Sequence, residues 1–464
     1  MNNASFIGRK NPLAILQQQY QRSSGALAVI YGRRRVGKTE LIRQFIHGKP
    51  AIFFTGKEAP RQILIDDFLE QAGLFYGHTL ASPGEVSSWK AALGLAVAGA
   101  RKGARLVLVF DEIQWAASEK ASPELISTLQ ELWDHQWQRD GRIMLILCSS
   151  FIGYSERLLG SKSPLFGRTT AQIQLQPLSP AEAAQFHPGY SLTHQAQAYF
   201  ITGGVPLYHR YFESGKSIEQ NLIAHFLTPS SPLFREGDFL LREEFKELPS
   251  YFAILTVLAG YRQRHKAVLE QTGLSDLQYY LHRLSELNYV RRVWPLASRS
   301  PRTEVYFEIQ DPFLRFWFRF LFKRLSAIDQ FGPEAAFERL IKPQLDAFFG
   351  ECFEGFCRDR MAGVYIQQEK LTCPFKVGEY WKTGKVQIDV VGQRDDGWTD
   401  LGECKWGRVR SLPDALGELE AKVALYPLAA GQSVGRRLFL HHPPKTRLPG
   451  PVKVHSLADL YQLG

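Results

Sequence analysis

The sequence predicts an α/β fold, with an N-terminal parallel β-sheet, a mainly helical middle and a second α/β region toward the C-terminus. Three observations support this prediction. Short apolar runs alternate with helical patterns between about Ala26 and Leu175, a glycine-containing loop follows the first run, and two further strand patterns occupy 385–392 and 399–406. Because 464 residues exceed one ordinary core, we expect about three or four domains.

Composition indicates a folded protein with a basic balance. Hydrophobic residues make up 45% and charged residues 22%, so no disordered region is needed. The net charge of +10 favours anionic partners such as nucleic acid or an acidic membrane surface. No apolar run approaches the roughly 20 residues of a membrane span and no signal-peptide pattern opens the chain, which predicts a cytoplasmic protein. Five cysteines without a C-x-x-C pair argue against a disulfide framework or a structural zinc site.

The first apolar run, Ala26 to Tyr31, leads into a loop that matches the phosphate-binding pattern G-x-x-x-x-G-K-[ST], and a helical pattern follows. Backbone N–H groups of such a loop hold the phosphates of a nucleoside triphosphate beside a helix N-terminus. Lys38 would reach the β- and γ-phosphates, and Thr39 would bind Mg2+ through its hydroxyl. A glycine turn before an amphipathic helix is the alternative interpretation. The loop residues are Gly32, Arg33, Arg34, Arg35, Val36, Gly37, Lys38 and Thr39.

The run Arg105 to Phe110 has the almost wholly apolar pattern of a parallel strand buried on both faces, and it ends in Asp111 and Glu112. The strand end would place Asp111 to hold Mg2+, directly or through water, and Glu112 to polarise the attacking water. Acidic residues at strand ends also serve as helix caps or turn formers. The phosphate-binding loop upstream favours the catalytic interpretation.

Two further polar positions follow the next predicted strand. Ile143 to Cys148 ends in Ser149 and Ser150, where a polar group could sense the γ-phosphate or position water. The same serines could simply start the following loop. Arg168 lies in a later loop, and its guanidinium could reach the transferring phosphoryl group, although most loop arginines are solvated surface charges.

A helical segment is predicted after the sheet, up to about Gly237. Ser179 can cap a helix whose first turn contains Pro180 and Glu182, and the segment would form a lid on the nucleotide domain. The turn Gly203-Gly204-Val205-Pro206 combines flexible φ angles with a fixed one, which suits a hinge. An ordinary helix-ending turn explains it equally well.

The region from Leu248 to Ile309 has the element order of a winged helix-turn-helix. Ser275 would cap a second helix, 276–287, whose outward residues are Gln278, Tyr279, His282 and Arg283. Residues 261–302 carry eight basic and three acidic residues, half of the net charge of the chain. The pattern predicts salt-sensitive DNA binding, with this helix in the major groove and Arg299 and Arg302 on the backbone or minor groove. Binding to protein is the alternative.

An aromatic stripe follows this region at helical spacing. A membrane-surface or partner-docking helix is one interpretation. A core helix that joins two domains is the favoured one, since the apolar residues follow the i, i+3, i+4, i+7 pattern. The stripe consists of Phe313, Phe316, Trp317, Phe320 and Leu321.

Two strand patterns near the C-terminus carry a second set of polar residues, Asp389 on the first and Glu403 with Lys405 on the second. If the strands pair, Asp389 can meet Glu403 and bind one Mg2+ or Mn2+, with the Cys404 carbonyl as a further ligand. Lys405 could then orient or activate water for attack on a phosphodiester, and Glu354 could complete the shell. Solvated hairpin charges are the alternative.

Taken together, the phosphate-binding loop, Asp111-Glu112 and several short motifs resemble the archaeal-type ATPase family of STAND-like, AAA+-related P-loop NTPases. The short motifs are Phe6-Ile7-Gly8-Arg9, PLFGR, GGVP, IDVV and ECKW. By this likeness Phe6, Gly8 and Arg9 lie near the adenine of ATP or the lid hinge. The resemblance implies an ATPase domain at 1–177, a helical lid at 178–237, a winged helix at 238–311, a helical connector at 312–345 and a PD-(D/E)xK, restriction-endonuclease-like domain at 346–464.

One position departs from that pattern, because Ile388 precedes Asp389 where the nuclease motif names a proline. The leading hypothesis is an ATP-hydrolysing switch that controls a DNA-binding winged helix and a candidate metal-dependent nuclease. The alternative is a nucleotide-dependent interaction or scaffolding protein, with a protein partner or a second copy of itself and an inactive nuclease-like domain.

Overall fold

The computed structural model describes residues 6–99, 105–297, 304–429, 431–443 and 451–463. The chain divides into two compact units. The first is Met1–Leu178 with Val205–Leu207, and the second is Ser179–Gly204 with Tyr208–Gly464. In the described part of the chain, no helix is long and apolar enough to cross a membrane.

A five-stranded parallel sheet forms the centre of the first unit, in the order β2-β3-β4-β1-β5. The strands are β1 Ala26–Tyr31, β2 Ala51–Thr55, β3 Leu106–Asp111, β4 Ile143–Ser149 and β5 Ala171–Gln174. The helices are α1 Lys10–Tyr20, α2 Lys38–Ile46, α3 Arg61–Tyr76, α4 Trp89–Ala98, α5 Ile113–Ala116, α6 Leu125–Leu132 and α7 Ile152–Leu159, with a π-helical turn at Trp133–Trp137.

The apolar runs read from the sequence are explained by burial of this sheet on both faces. Along β3, Leu106, Leu108 and Phe110 join one core cluster, whereas Val107 and Val109 join the other. Successive side chains of a strand point to opposite faces, so a strand covered on both sides is apolar throughout. The predicted parallel α/β sheet is therefore confirmed, and its strands end at one edge, where the phosphate-binding loop lies.

The second unit begins with short helices. They are α8 Pro180–Ala184, α9 Leu192–Thr202, α10 Pro206–His209, α11 Ile218–Asn221 and α12 Glu236–Glu244, with a π-helical turn at Leu222–Leu227; Pro206 and Leu207 of α10 belong to the first unit. As predicted, Ser179 caps α8, since its hydroxyl accepts from the Glu182 N–H and the Glu182 carboxylate accepts from the Ser179 N–H. Gly203 has φ 63°, a left-handed value that favours glycine at the predicted hinge.

A helical group with a small antiparallel sheet follows. Its elements are α13 Leu248–Leu258, β6 Gln263–Arg264, α14 His265–Thr272, α15 Leu277–Glu286, β7 Val290–Val293 and β8 Tyr306–Ile309, with strand order β6-β8-β7. The predicted cap is wrong in one detail, because Asp276 and not Ser275 precedes α15 and no side chain caps the helix. The strands are shorter than predicted, and Arg299 and Arg302 lie outside the described residues.

A run of helices leads to the C-terminal sheet. They are α16 Pro312–Phe320, α17 Leu325–Phe331, α18 Pro333–Ala336 and α19 Lys342–Gly363, with a 3-10 turn at Phe322–Arg324 and π-helical turns at Phe337–Ile341 and Val364–Gln368. The aromatic stripe of α16 is buried, as a core helix requires. Asp311 caps α16 by accepting from the Leu314 N–H at 2.7 Å, which fixes where the helix begins.

The C-terminal sheet is mixed, in the order β13-β12-β11-β10-β9. Its elements are β9 Phe375–Lys382, β10 Val386–Arg394, β11 Trp398–Lys405, α20 Leu412–Val423, β12 Ser433–Leu440, β13 Val452–Ser456 and α21 Leu457–Tyr461. Strands β9, β10 and β11 are antiparallel, whereas β11, β12 and β13 are parallel. A second α/β region is thus present where the sequence predicted one.

Candidate functional site

The phosphate-binding loop connects β1 to α2 with a backbone that depends on its two glycines. Gly32 has φ 152° and Gly37 has φ 93°, values that favour glycine. A Cβ on Gly32 would lie 2.5 Å from the carbonyl oxygen of Leu175, so a side chain there would displace the backbone. Arg35 also adopts a left-handed φ of 67°. The loop therefore has the tight turn that the sequence pattern requires.

Lys38 begins α2 and is 5% exposed. Its ammonium donates to the carbonyl oxygens of Gly32, at 2.8 Å, and Arg33, at 3.0 Å. Both of these acceptors are neutral. A phosphate oxygen, which carries charge, is a stronger acceptor for the same ammonium.

Thr39 and Asp111 come together from separate elements. The Thr39 hydroxyl donates to Asp111 Oδ2 at 2.7 Å, and Asp111 is buried at the end of β3. Hydroxyl and carboxylate oxygens are ligands that Mg2+ accepts in nucleotide sites. The donor set therefore fits a magnesium ion.

Glu112 has a left-handed backbone, with φ 50°, and its carboxylate is bound by two neighbours. Oε2 accepts from the Ser150 hydroxyl at 2.6 Å and from the Gln114 amide. Gln114 also contacts Ser150 at 3.2 Å, so the three side chains form one cluster. Ser149, in contrast, bonds to the backbone of Phe151, with its oxygen accepting from that N–H at 3.2 Å. Of the two predicted serines, Ser150 is the one that contacts Glu112.

Gln114 was missed by the sequence analysis, which assigned no role to the residue after Ile113. The available signal was its spacing, because a side chain two positions beyond Glu112 remains close to it when a short helix begins there. Gly56 was missed as well. A Cβ on Gly56 would lie 2.5 Å from the carbonyl oxygen of Glu112, so the chain after β2 approaches this site closely.

The N-terminal motif reaches the same loop. Arg9 has φ 62°, and its guanidinium donates to the carbonyl oxygens of Val36, at 2.8 Å, and Gln176, at 2.5 Å. Gly8 is left-handed, with φ 70°, and Phe6 packs on the core cluster of α2. Arg9 thus contacts the phosphate-binding loop through Val36, and a nucleotide-binding role for Phe6, Gly8 and Arg9 stays a prediction.

Phe151 and Pro206 lie beside the phosphate-binding loop. The Arg34 guanidinium lies over the ring of Phe151, 5.3 Å from its centroid. Pro206 comes within 3.8 Å of the position that a Cβ on Gly37 would take. Pro206 belongs to the GGVP turn, so that predicted hinge includes a residue of the first unit beside the loop.

Arg168 is held elsewhere by an ion pair. Its guanidinium makes two hydrogen bonds of 2.8 Å to the carboxylate of Asp134 and one to the Phe166 carbonyl. Hydrogen bonding to Arg168 lowers the pKa of Asp134 below its usual value. The structure therefore shows Arg168 in a salt bridge with Asp134, and a role on the transferring phosphoryl group stays a prediction.

The C-terminal carboxylates meet on paired strands. Val390 lies opposite Gly402 in the β10–β11 ladder, so Asp389 lies opposite Glu403. Both side chains are buried, at 5% and 4% exposure. Asp389 Oδ2 accepts from the Cys404 N–H at 2.9 Å. The sequence therefore predicted the meeting of these strands, although it is the N–H of Cys404 and not its carbonyl that contacts Asp389.

Two lysines neutralise Glu403. Lys405 lies 3.1 Å from its Oε1, and Lys422 of α20 bonds to its Oε2. Lys405 also pairs with Glu418 at 2.7 Å. Lys422 was not predicted as part of this site. It lies in a helical sequence pattern, which corresponds to α20, and not on either of the two strand patterns.

Burial and repulsion between neighbouring carboxylates raise the pKa values of Asp389 and Glu354. Burial, followed by the charge of Glu403, raises the pKa of Asp389 to about 6. Burial, followed by the charge of Asp389, raises the pKa of Glu354 on α19 to about 8. Arg358 donates to the Asp389 carbonyl at 2.9 Å.

This cluster does not fit the predicted divalent-cation site. Within the described ranges, no group of three or more His, Cys, Asp or Glu side chains is arranged to hold a metal ion. The Lys422 ammonium already supplies the positive charge that Glu403 needs, and the Cys404 N–H supplies the donor for Asp389. A metal at Glu403 would compete with the Lys422 ammonium.

Several of the basic residues that were predicted to contact DNA form ion pairs with acidic residues of the chain. Arg262 is buried against Glu379 at 2.6 Å, with its guanidinium 4.1 Å from the Trp381 ring centroid. Arg291 pairs with Glu308 at 2.6 Å. Arg283 and Lys266 also pair with acids of their own helices. The exposed basic surface is therefore smaller than the composition predicted, while Gln278, Tyr279 and His282 of α15 are exposed as expected.

Comparisons with known proteins bear on both ends of the chain. Residues 6–209 match a family described as an ATPase domain predominantly from Archaea. Residues 317–415 match a family described as archaeal and bacterial proteins of unknown function. An uncharacterised protein of Methanocaldococcus jannaschii is 27% identical over 407 residues, covering 86% of this chain and 87% of its own length.

Two further similarities concern the nucleotide site and the fold. An uncharacterised ATP-binding protein of the same organism is 43% identical over 44 residues, which cover 10% of this chain and 75% of that protein. A Walker-type ATPase of Pyrococcus abyssi superimposes with a TM-score of 0.51 at 18% identity, covering 68% of this chain and 96% of that one. The N-terminal part of the chain is thus similar in sequence to an ATPase domain predominantly from Archaea, and it has the fold of a Walker-type ATPase.

Proposed function

We propose that the protein is an ATP-hydrolysing switch. The hydrogen bond of 2.7 Å between Thr39 and Asp111 carries this proposal, because it joins the phosphate-binding loop to the acidic strand end. Glu112 is the next residue, at the edge where the γ-phosphate of ATP would lie. ATP binding without hydrolysis would need the phosphate-binding loop but not the Glu112 carboxylate.

The chain would act through four side chains. Lys38 would exchange its two carbonyl acceptors for phosphate oxygens and offset their charge. Thr39 and Asp111 would hold Mg2+, which neutralises charge on the β- and γ-phosphates when bound. Glu112 would orient the attacking water and accept its proton, with Ser150 and Gln114 fixing the carboxylate.

ATP turnover by the purified protein tests this proposal. Lys38→Ala should abolish ATP binding, whereas Glu112→Gln should bind ATP but hydrolyse it roughly 100- to 10,000-fold more slowly, the range for loss of a general base. Lys10→Ala removes an exposed lysine of the same unit and should behave as the wild type. If the wild type and the Lys38 and Glu112 variants bind and hydrolyse ATP alike, the proposal fails.

The output of the switch is proposed to be duplex DNA binding by a winged helix. The element order α13, β6, α14, α15, β7, β8 and the exposed side chains of α15 support this assignment. Replacing Gln278 and His282 by alanine should weaken duplex binding, and Arg292→Ala should weaken it at all sequences and reduce the salt dependence. Duplex affinity that is unchanged in both variants would favour the protein-binding alternative.

We further propose that the C-terminal sheet is a nuclease-like domain in which Glu403 is held in ion pairs with Lys405 and Lys422. The meeting of Asp389 and Glu403 and the proximity of Lys405 support the likeness, whereas Lys422 on Glu403 argues against a metal. Supercoiled DNA should therefore remain intact with Mg2+ or Mn2+. Nicking by the wild type that is lost in Asp389→Ala and Lys405→Ala would overturn this assignment.

A further inference from the structure

A cleft of about 820 Å3 lies beside the C-terminal carboxylates, within the second unit. Its volume falls in the range of roughly 300–1,000 Å3 that is typical of ligand sites. Residues of α9, α19, α20 and the segments after β11 and β12 line it, and Lys405 contributes to it. Lys405 and Glu418 belong also to the carboxylate site, whereas Arg408, Arg410, His441 and His442 have no role in the sites described above.

Three neighbouring rings form one part of the lining. The ring of His441 stacks on that of Trp406, with the centroids 3.9 Å apart and an interplanar angle of 3°. The ring of His442 follows, tilted by 35° from that of His441, with the centroids 3.8 Å apart. His442 is exposed, so the end of this ring group is accessible to solvent.

The lower rings are fixed. Trp406 packs against Phe200, Phe349 and Phe353. His441 Nδ1 lies 3.0 Å from the Trp406 carbonyl oxygen, which can only accept, so this nitrogen carries the proton. Its Nε2 can then accept from the Thr193 hydroxyl at 2.8 Å. Burial lowers the pKa of His441, which keeps the ring neutral.

Two arginines line the same cleft as these rings. Arg408 and Arg410 are exposed in the segment between β11 and α20, and neither makes an ion pair or a side-chain hydrogen bond with another residue in the described part of the chain. Asp346 and Asp414 also line the cleft, so its fixed charges nearly balance. Attraction by net charge alone would therefore hold a ligand weakly.

We propose that this cleft binds an unpaired nucleic-acid strand, with one base stacked on His442 and the adjoining phosphates at Arg408 and Arg410. An open aromatic face beside unpaired guanidinium groups is the arrangement that single strands use, since every base offers a flat face and every linkage a charge. A paired base keeps its faces inside the duplex and cannot extend the stack. This site is independent of ATP hydrolysis and of the winged helix.

Fluorescence anisotropy of a fluorescein-labelled oligothymidylate, with the full-length protein and no ATP, tests the proposal. His442→Ala should weaken binding roughly 5- to 100-fold, the effect expected when one base loses its stacking partner. His442→Phe should restore it, because the flat ring is what the base needs. Arg408→Ala with Arg410→Ala should also weaken binding, whereas the matched pair Lys382→Ala with Lys385→Ala, exposed in the same domain, should not.

Salt and competitors sharpen the test. With two phosphates neutralised, the logarithm of the affinity should fall by no more than about 1.4 per tenfold rise in salt. Unlabelled single strand should compete better than the same sequence as a duplex or than thymidine monophosphate. Unchanged binding in His442→Ala, equal losses in both double variants, or competition by the mononucleotide alone would each overturn the proposal.

Discussion

The two acidic sites of this protein use lysine in opposite ways. At the phosphate-binding loop, the Lys38 ammonium bonds to two neutral carbonyl oxygens. At the C-terminal sheet, Lys405 and Lys422 both bond to the buried carboxylate of Glu403. An anion can replace a neutral acceptor with a gain in charge attraction, whereas separating an ammonium from a buried carboxylate leaves a charge without its partner.

This difference explains why similar residue types indicate different functions. Asp111 accepts from a hydroxyl, which can turn its oxygen toward a metal without losing a charge partner. Glu403 would have to give up the Lys422 ammonium before binding a cation. The Asp111 carboxylate therefore faces a hydroxyl, whereas the Glu403 carboxylate is already neutralised by two lysines.

The largest expected effect concerns the first site. Asp111→Asn keeps the shape of the side chain but removes the charge that Thr39 faces, so ATP turnover should fall roughly 100- to 1,000-fold, as when one charge-stabilising group is lost. Steady-state phosphate release measures it. Asp140→Asn, in an exposed pair with Arg142, is the matched control and should leave turnover unchanged. If Asp111→Asn hydrolyses ATP as fast as the wild type, the charge of Asp111 is not needed for turnover, and the proposed difference between the two carboxylate sites fails.

The second effect concerns stability at the C-terminal site. Lys422 is 28% exposed and Glu403 5%, so Lys422→Ala should lower the free energy of unfolding by roughly 2–3 kcal/mol, near the lower end for a broken buried pair. Urea unfolding measures it. Lys453→Ala breaks a more exposed pair with Glu369 and should lower it by less than about 1 kcal/mol. If Lys422→Ala leaves the free energy of unfolding unchanged, Glu403 does not depend on Lys422 and is free to bind another cation.

The third effect is a pH dependence that belongs to the C-terminal site. The pKa of Asp389 is about 6 in the folded protein against an ordinary 3.8, so the folded state binds the proton more tightly. This contribution to stability is fully present below about pH 4 and is lost as the pH rises through 6. Asp389→Asn should therefore be roughly 1–3 kcal/mol more stable than the wild type at pH 7, and the gain should shrink toward pH 4.

Unfolding in urea at several pH values checks this prediction. The control is Asp414→Asn, an exposed residue of α20 in the same domain, which should follow the wild type at every pH. A gain in the Asp389 variant that stays constant between pH 4 and 7 would show that its charge is not the cause.

The smallest effect concerns the ion pair of Arg168 and Asp134, which is partly exposed. Arg168→Ala should lower the free energy of unfolding by about 0.5–1 kcal/mol, and Asp134→Ala should have little further effect in that background. Thermal and urea unfolding of the single and double variants measure the coupling. If ATP turnover in Arg168→Ala falls roughly 1,000-fold or more, Arg168 acts on the phosphoryl group after all.

Much of the fold could be predicted because local patterns and tertiary burial agree. The apolar runs of β3 and β4 indicate strands covered on both faces, and the sheet does bury them. The outward positions predicted for α15 likewise agree with the fold, since Gln278, Tyr279 and His282 are exposed. Where the pattern was weaker, as at Ser275, the helix start was misplaced by the sequence analysis.

Side-chain partners could not be predicted, since they come from distant parts of the chain. Nothing in the local sequence of Arg262 shows that Glu379 neutralises it, and nothing near Glu403 shows that Lys422 reaches it across the sheet. Counting charges along the sequence therefore overestimated the basic surface of the region predicted to be a winged helix. It also left out the Lys422 ammonium, which neutralises Glu403 in the folded chain.

The sequence by itself determined the phosphate-binding loop, the acidic strand end and the parallel sheet, because each depends on residue types at short, fixed spacings. Only the tertiary structure decided which charges remain available to a ligand. Hydrogen bonds and ion pairs depend on distances of a few ångströms between residues that are separated in sequence, as for Thr39 with Asp111 and Lys422 with Glu403. For that reason similar residue types form two sites whose carboxylates have different partners.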